Sequence, residues 1–178
     1  MGKVEREVIF KPGEIKYLTA GNQDKVFRTA RRGLVAFLAN SEELENLVRE
    51  AKYKIAERSG GKLRFAELPE YLVFVNFEEV LEGARRAAIG TLQAMCEGNL
   101  EKLSQQIERL LEWDGELWRA CRKVYDAVRE YDSALAEEIY WHPTLTQGLA
   151  VVAEDVAKYV VVMSGRAPEG WRIVAEVM

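Results

Sequence analysis

The sequence contains a single histidine, His142, and two cysteines, Cys96 and Cys121, in 178 residues. It has no CxxC, HExxH or GxGxxG stretch, no glycine-lysine-serine/threonine phosphate loop and no serine in a GxSxG elbow. These absences remove the enzyme classes whose metal, redox, dinucleotide, phosphate or acyl chemistry depends on such motifs. His142 follows Glu138 by four residues, but a di-metal bundle needs Glu-x-x-His pairs from two helices, and only one mismatched half is present. Both cysteines fall at apolar helical positions, as small buried hydrophobes do. No uncharged apolar run approaches the roughly 18 residues of a membrane span, and charges occupy the opening residues where a signal peptide needs an apolar core. Gly2 is not followed by the Ser or Thr of a myristoylation signal. The reading is a soluble, intracellular protein with no membrane insertion, no catalytic residues, no metal and no cofactor. Aspartate is also scarce: 5 Asp stand against 24 Glu, and Arg outnumbers Lys, a skew that resembles the charge usage of thermophile proteins.

What is abundant is helical periodicity. Leu100, Leu103, Ile107, Leu110, Leu117, Cys121, Val124, Val128, Tyr131 and Leu135 recur in alternating steps of three and four, with Asp114 at the one polar position of the series. One helix over 100–140 would be roughly 60 Å long, whereas a compact domain of this size has a radius of gyration near about 16 Å. The stretch is therefore either a rod that elongates the protein or a hairpin broken at Asp114-Gly115, a common turn signal.

Ahead of it, Asp24 is placed to cap a helix to about Ala39, with Phe27, Ala30, Leu34, Phe37 and Leu38 on its apolar face. Asn40 with Glu43 has the form of a capping box for a second helix, whose core face is Leu44, Leu47, Val48, Ala51 and Ile55 and whose end is Ser59-Gly60-Gly61. Tyr71–Val75 is a continuous apolar run, read as a buried strand or a core-plugging loop. Asn76 with Glu79 forms another capping box, for a third helix to about Glu97. On that helix Gly83, Ala87, Gly90 and Ala94 line up as a groove of small residues; because glycine costs roughly 1 kcal/mol against alanine inside a helix, a neighbouring backbone should pass close by. Beyond Trp141-His142-Pro143, Thr144 with Gln147 resembles a capping box for a last helix closed by Gly165. At the ends, Val8 and Phe10 before Pro12-Gly13, and Ile15, Tyr17 and Thr19 after it, suit a hairpin or an extended arm, and Trp171, Ile173, Ala175 and Val177 suit a terminal strand able to pair with it. The expected fold is mainly α: a bundle of about five helices with one long helix or helical hairpin and minor β elements at the termini. Its divisions are an arm or hairpin over 1–23, the bundle over 24–165, and a strand or tail over 166–178.

Lys25, Arg28 and Arg32 fall opposite the first helix's apolar face, with Arg31 at the boundary. They are the candidate contacts to phosphate or to an acidic partner. Arg119, Arg122, Lys123 and Arg129 form a second basic set on the long helix, and Trp113, Trp118, Trp141 and Trp171 sit near breaks and ends, where they either seal the bundle or anchor contacts between subunits.

An extended N-terminal arm, an arginine-bearing first helix and a following helical bundle resemble, in organisation, the coat proteins of filamentous archaeal viruses. In that family paired coat subunits wrap double-stranded DNA with the N-terminal region lying on it. The resemblance implies that Lys25, Arg28, Arg31 and Arg32 face phosphate, that the partners are double-stranded DNA and copies of this chain or a paralogous subunit, and that the location is the virion. The net charge of −4 departs from that pattern. The leading expectation is thus a non-enzymatic assembly subunit, followed by a small helical nucleic-acid-binding or regulatory module and by a helical enzyme without a signature.

Overall fold

The longest helix, α1 (Ala20–Arg58), runs unbroken for 39 residues, about 58 Å at 1.5 Å per residue. It belongs to a computed structural model that describes residues 6–10, 20–58 and 68–175. The two helices expected on either side of Asn40 are therefore one. The reason lies in the seam: Ala30, Leu34, Phe37, Ser41, Leu44, Val48, Ala51 and Ile55 keep the same alternation of three and four, and all are buried. Ser41, the polar member, donates its hydroxyl to the Leu38 carbonyl at 2.7 Å and accepts from Arg85 Nε at 2.9 Å. Asn40 and Glu43 are interior helical residues, not a cap.

Helix α2 (Tyr71–Glu97) begins just after the Leu68-Pro69-Glu70 turn, so the apolar run Tyr71–Val75 is its first turn and Asn76 lies inside it. Phe74, Phe77, Leu81, Ala84, Ala88, Thr91 and Met95 continue a buried line at helical spacing, while Tyr71 and Leu72 remain exposed. A strand would bury alternate residues instead. Lys52 meets Glu78, and Glu45 meets Arg85 at 2.6 Å, so α2 runs antiparallel to α1.

Helix α3 (Leu100–Val128) passes straight through Asp114-Gly115. The long seam breaks 14 residues past Asp114, after Val128, and is neither a rod to Tyr140 nor a hairpin at Gly115. Asp132 accounts for the break: its carboxylate accepts from the Leu135 N–H at 3.0 Å, capping α4 (Ser133–Tyr140), and lies 2.6 Å from Lys54 Nζ. That hydrogen bond holds the Asp132 carboxyl below, and the Lys54 ammonium above, its ordinary pKa. Helix α4 folds back along α3, and α5 (Pro143–Thr146) and α6 (Leu149–Ser164) continue the descent. Thr144 and Gln147 belong to α5 and its end, so the capping box expected there does not form. Gly148 starts α6, since a Cβ on it would stand 2.2 Å from the Thr144 carbonyl oxygen. Gly165 closes α6 as the sequence suggests. Phe27 meets Tyr159 edge-on at 5.5 Å, and Gly33 faces Val152, so α6 is antiparallel to α1.

The outcome is an up-down-up-down bundle whose fourth leg is interrupted. Among the described residues, four long helices, α1, α2, α3 and α6, and two short ones, α4 and α5, stand in place of the expected five. Asp114 explains the polar position in the α3 seam. It hydrogen-bonds the Ala150 backbone in the first turn of α6, a helix without a side-chain cap of its own. Burial raises its pKa, against that hydrogen bond and the nearby Arg6 charge.

Strand β1 (Arg6–Phe10) pairs in parallel with β2 (Trp171–Ala175), with Val8 opposite Ile173. Val8 and Phe10 are buried, and Lys158 of α6 lies over the Phe10 ring at 5.4 Å. The return strand of the expected hairpin, Ile15 to Thr19, and the helix-ending Gly60-Gly61 fall outside the described residues.

Candidate interaction surfaces

Lys25, Arg28, Arg31 and Arg32 are all exposed in the N-terminal half of α1; Lys25, Arg28 and Arg32 lie on the side away from buried Ala30, Leu34 and Phe37, and Arg31 at the edge of that face. Arg28 pairs with Asp24 at 3.0 Å, and the Arg31 guanidinium lies 5.8 Å from the Phe27 ring centre. Lys25 and Arg32 have no ion pair among the described residues. The first turn of α1 carries no acid, although acids are favoured at that end of a helix.

The small-residue line of α2 has its neighbour within the chain, but side chains rather than the expected backbone approach it. Gly83 lies under the Trp113 indole, where an added Cβ would come within 2.3 Å of the ring, and a Cβ on Gly90 would meet Gln106 at 3.4 Å. Ala87 and Ala94 are buried beside them. Helix α3 thus packs antiparallel against α2, leaving between the two an open cleft of about 710 Å³. Its walls carry Glu78, Glu79 and Glu82 towards one end and Arg86, Lys102 and Arg109 along the rest, with Gly83 and Gly90 lining the cleft between them. Trp113 therefore fills an internal notch.

A third surface arises where α4 folds onto α3. Tyr140 stands 5.6 Å from Trp118, 5.1 Å from Tyr125 and 5.1 Å from Trp141, ring centre to ring centre. The Arg122 guanidinium lies over both Tyr125 and Tyr140, at 5.6 and 5.8 Å, hydrogen-bonds Tyr140 and approaches Asp126 at 3.6 Å. Glu137 accepts from the Tyr125 hydroxyl at 3.0 Å and from Trp141 Nε1 at 2.7 Å, so one carboxylate serves both rings. Trp141 is nevertheless 60% exposed. Trp118 and Arg122 stood out in the sequence as separate features, and Tyr125 beside them did not. The contribution of Tyr140 and Trp141 depends on the fold-back of α4, which periodicity does not reveal.

His142 is 8% exposed and is the N-cap of α5: its Nδ1 accepts from the Thr144 N–H at 3.3 Å. Its Nε2 lies 3.6 Å from Glu43 of α1. Burial lowers its pKa, with Glu43 opposing the shift. Cys121 is buried, and burial pushes its thiol up to about 12. Cys96 is exposed, contrary to its expected apolar setting, because it sits one step beyond buried Ala94 and Met95 on α2. Both cysteines are free. Among the described residues no group of three or more His, Cys, Asp or Glu side chains converges on a metal-sized site, and no helix is long and apolar enough to cross a membrane.

Comparison with protein-family models, with curated proteins and with solved structures gives no match.

Proposed function

We propose that this chain is a non-enzymatic subunit of a larger assembly, and that the first turns of α1 contact a polyanionic partner, with double-stranded DNA the leading candidate. The observation that carries the reading is the excess of cations over acids in the stripe. In a chain of net charge −4, Lys25 and Arg32 project without a carboxylate partner among the described residues. A face that merely solubilises a helix mixes both signs along its length, as the C-terminal half of α1 does with Glu45 and Arg49 at 3.1 Å and Glu50 and Lys54 at 3.7 Å. Concentrated single-sign charge attracts counter-charge, and each phosphate it neutralises releases condensed counterions. The organisational resemblance to coat proteins of filamentous archaeal viruses points the same way and would place the subunit in a virion, packed against copies of itself or a paralogous subunit.

The test is Lys25→Glu, Arg28→Glu and Arg32→Glu together, assayed for binding to duplex DNA across a salt series. Wild type should bind with a slope of log affinity against log salt of about −3, near −0.9 for each of three phosphate contacts. The triple variant should lose binding while its circular dichroism keeps full helicity. Unchanged binding in the variant, or no binding by wild type at low salt, would remove the stripe from the proposal. Filaments or particles favour an assembly subunit, whereas a salt-sensitive complex of one or two chains favours a small nucleic-acid-binding module.

A further inference from the structure

We infer that the α3–α4 aromatic face is the contact between two copies of this chain related by a two-fold axis. The inference deepens the assembly reading above by naming a surface and its partner, and it rests on that reading for its purpose.

Trp, Tyr and Arg are the side chains that dominate binding energy at protein interfaces, and they do so best when held rigid before the partner arrives. Here Arg122 is already stacked on Tyr125 and Tyr140, and Glu137 already takes the hydrogen bonds of Tyr125 and Trp141. Tyr125, Tyr140 and Trp141 would thus enter an interface with their polar atoms hydrogen-bonded and little side-chain freedom left to lose. Trp141, at 60% exposure, presents a large apolar surface to water with no further neighbour to cover it among the described residues.

Charge selects the partner. From Glu116 to its C-cap Arg129, α3 carries four basic residues and two acids; Arg119 meets Glu116 and Arg122 meets Asp126, which leaves Lys123 and Arg129 without an acid among the described residues, whereas α4 carries two acids, Glu137 and Glu138, and no base. A polyanion laid across this face would meet the α4 carboxylates, and a polycation would meet the α3 guanidiniums. A second copy, turned by a two-fold axis through the aromatic centre, sets its α4 acids against the α3 cations of the first and its α3 cations against the first copy's α4 acids. An isologous contact of this kind needs a patch that carries both signs on opposite sides of an apolar centre.

The full chain, free of nucleic acid, is examined by sedimentation equilibrium over a range of concentrations. Wild type should sediment as a dimer, and Trp141→Ala, which removes an exposed side chain and so spares the fold, should weaken dimerisation by about thirtyfold or more. Two charge variants test the symmetry. Glu138→Lys makes α4 less acidic, and Lys123→Glu with Arg129→Glu reverses the charge at the end of α3. Each variant alone juxtaposes like charges and should dimerise about tenfold or more weakly than wild type. Mixed together they restore opposite signs on both sides of the axis, so a heterodimer should form from two chains that self-associate poorly. A monomeric wild type, an unaffected Trp141→Ala dimer, or a mixture that stays monomeric overturns the inference. Loss of single-stranded DNA binding in Trp141→Ala with wild type monomeric would instead assign the face to base stacking. Because DNA is absent from the dimer measurement, failure here is distinct from failure of the α1 stripe.

Discussion

The two halves of α1 contain similar cations and employ them differently. In the C-terminal half, Arg49 pairs with Glu45, Lys52 with Glu78 of α2, and Lys54 with both Glu50 and Asp132. Those side chains brace α1 against α2 and against the turn before α4. In the N-terminal half only Arg28 has an acid, Asp24, one turn away on the same helix, and none of the four stripe cations reaches another element through an ion pair among the described residues. The contrast separates charge that stabilises the bundle from charge the bundle does not use. Glu45, Glu50, Glu78 and Asp132 all meet cations of the C-terminal half, whereas only Asp24 meets one of the stripe.

The comparison can be broken hardest at the seam. Leu44 is fully buried on the C-terminal half, and Leu44→Ala should cost about 2–5 kcal/mol of stability in urea unfolding. A loss below about 1 kcal/mol would mean that this half of α1 is not packed as described.

A smaller effect is expected at the junction of the halves, where His142 meets Glu43. Its folded pKa is depressed by burial, so the folded state disfavours the proton. The associated stability is present above the ordinary value near about 6.5 and declines as pH falls through it towards the folded value. His142→Asn keeps an N-cap acceptor and removes the titration. Urea midpoints should therefore fall between neutral and mildly acidic pH in wild type and stay nearly level there in the variant; equal slopes in the two proteins would assign the pH dependence elsewhere.

The smallest change should come from Lys25→Glu alone. It alters stability by no more than about 0.5 kcal/mol, because Lys25 is exposed and has no ion pair among the described residues to lose. Destabilisation beyond that would show that Lys25 braces the fold after all, and would erase the contrast between the halves.

The bundle was legible because seams persist: the alternation of three and four marks α3, and the same alternation runs through Ala30, Ser41 and Ile55 of α1. Helix ends were less legible. Asn40-Glu43, Asn76-Glu79 and Thr144-Gln147 all look like caps, but in a chain with 24 Glu such patterns arise often inside helices, and packing decides among them. Ser41 illustrates this, since its hydroxyl is turned towards Arg85 of α2. The real break after Val128 has no glycine or proline to announce it. Only Asp132 marks it, and its partner Lys54 is 78 residues away in sequence. The cationic stripe could be read because it lies on one helix, whereas the aromatic face is shared by two.

The β1–β2 ladder joins Glu7 to Arg172, 165 positions apart. Closing so large a loop is entropically costly before anything else has formed, and little extra is lost once the helices have brought its ends together. The ladder therefore depends on the bundle to bring its two ends together. In return it holds Val8 and Phe10 buried in the core.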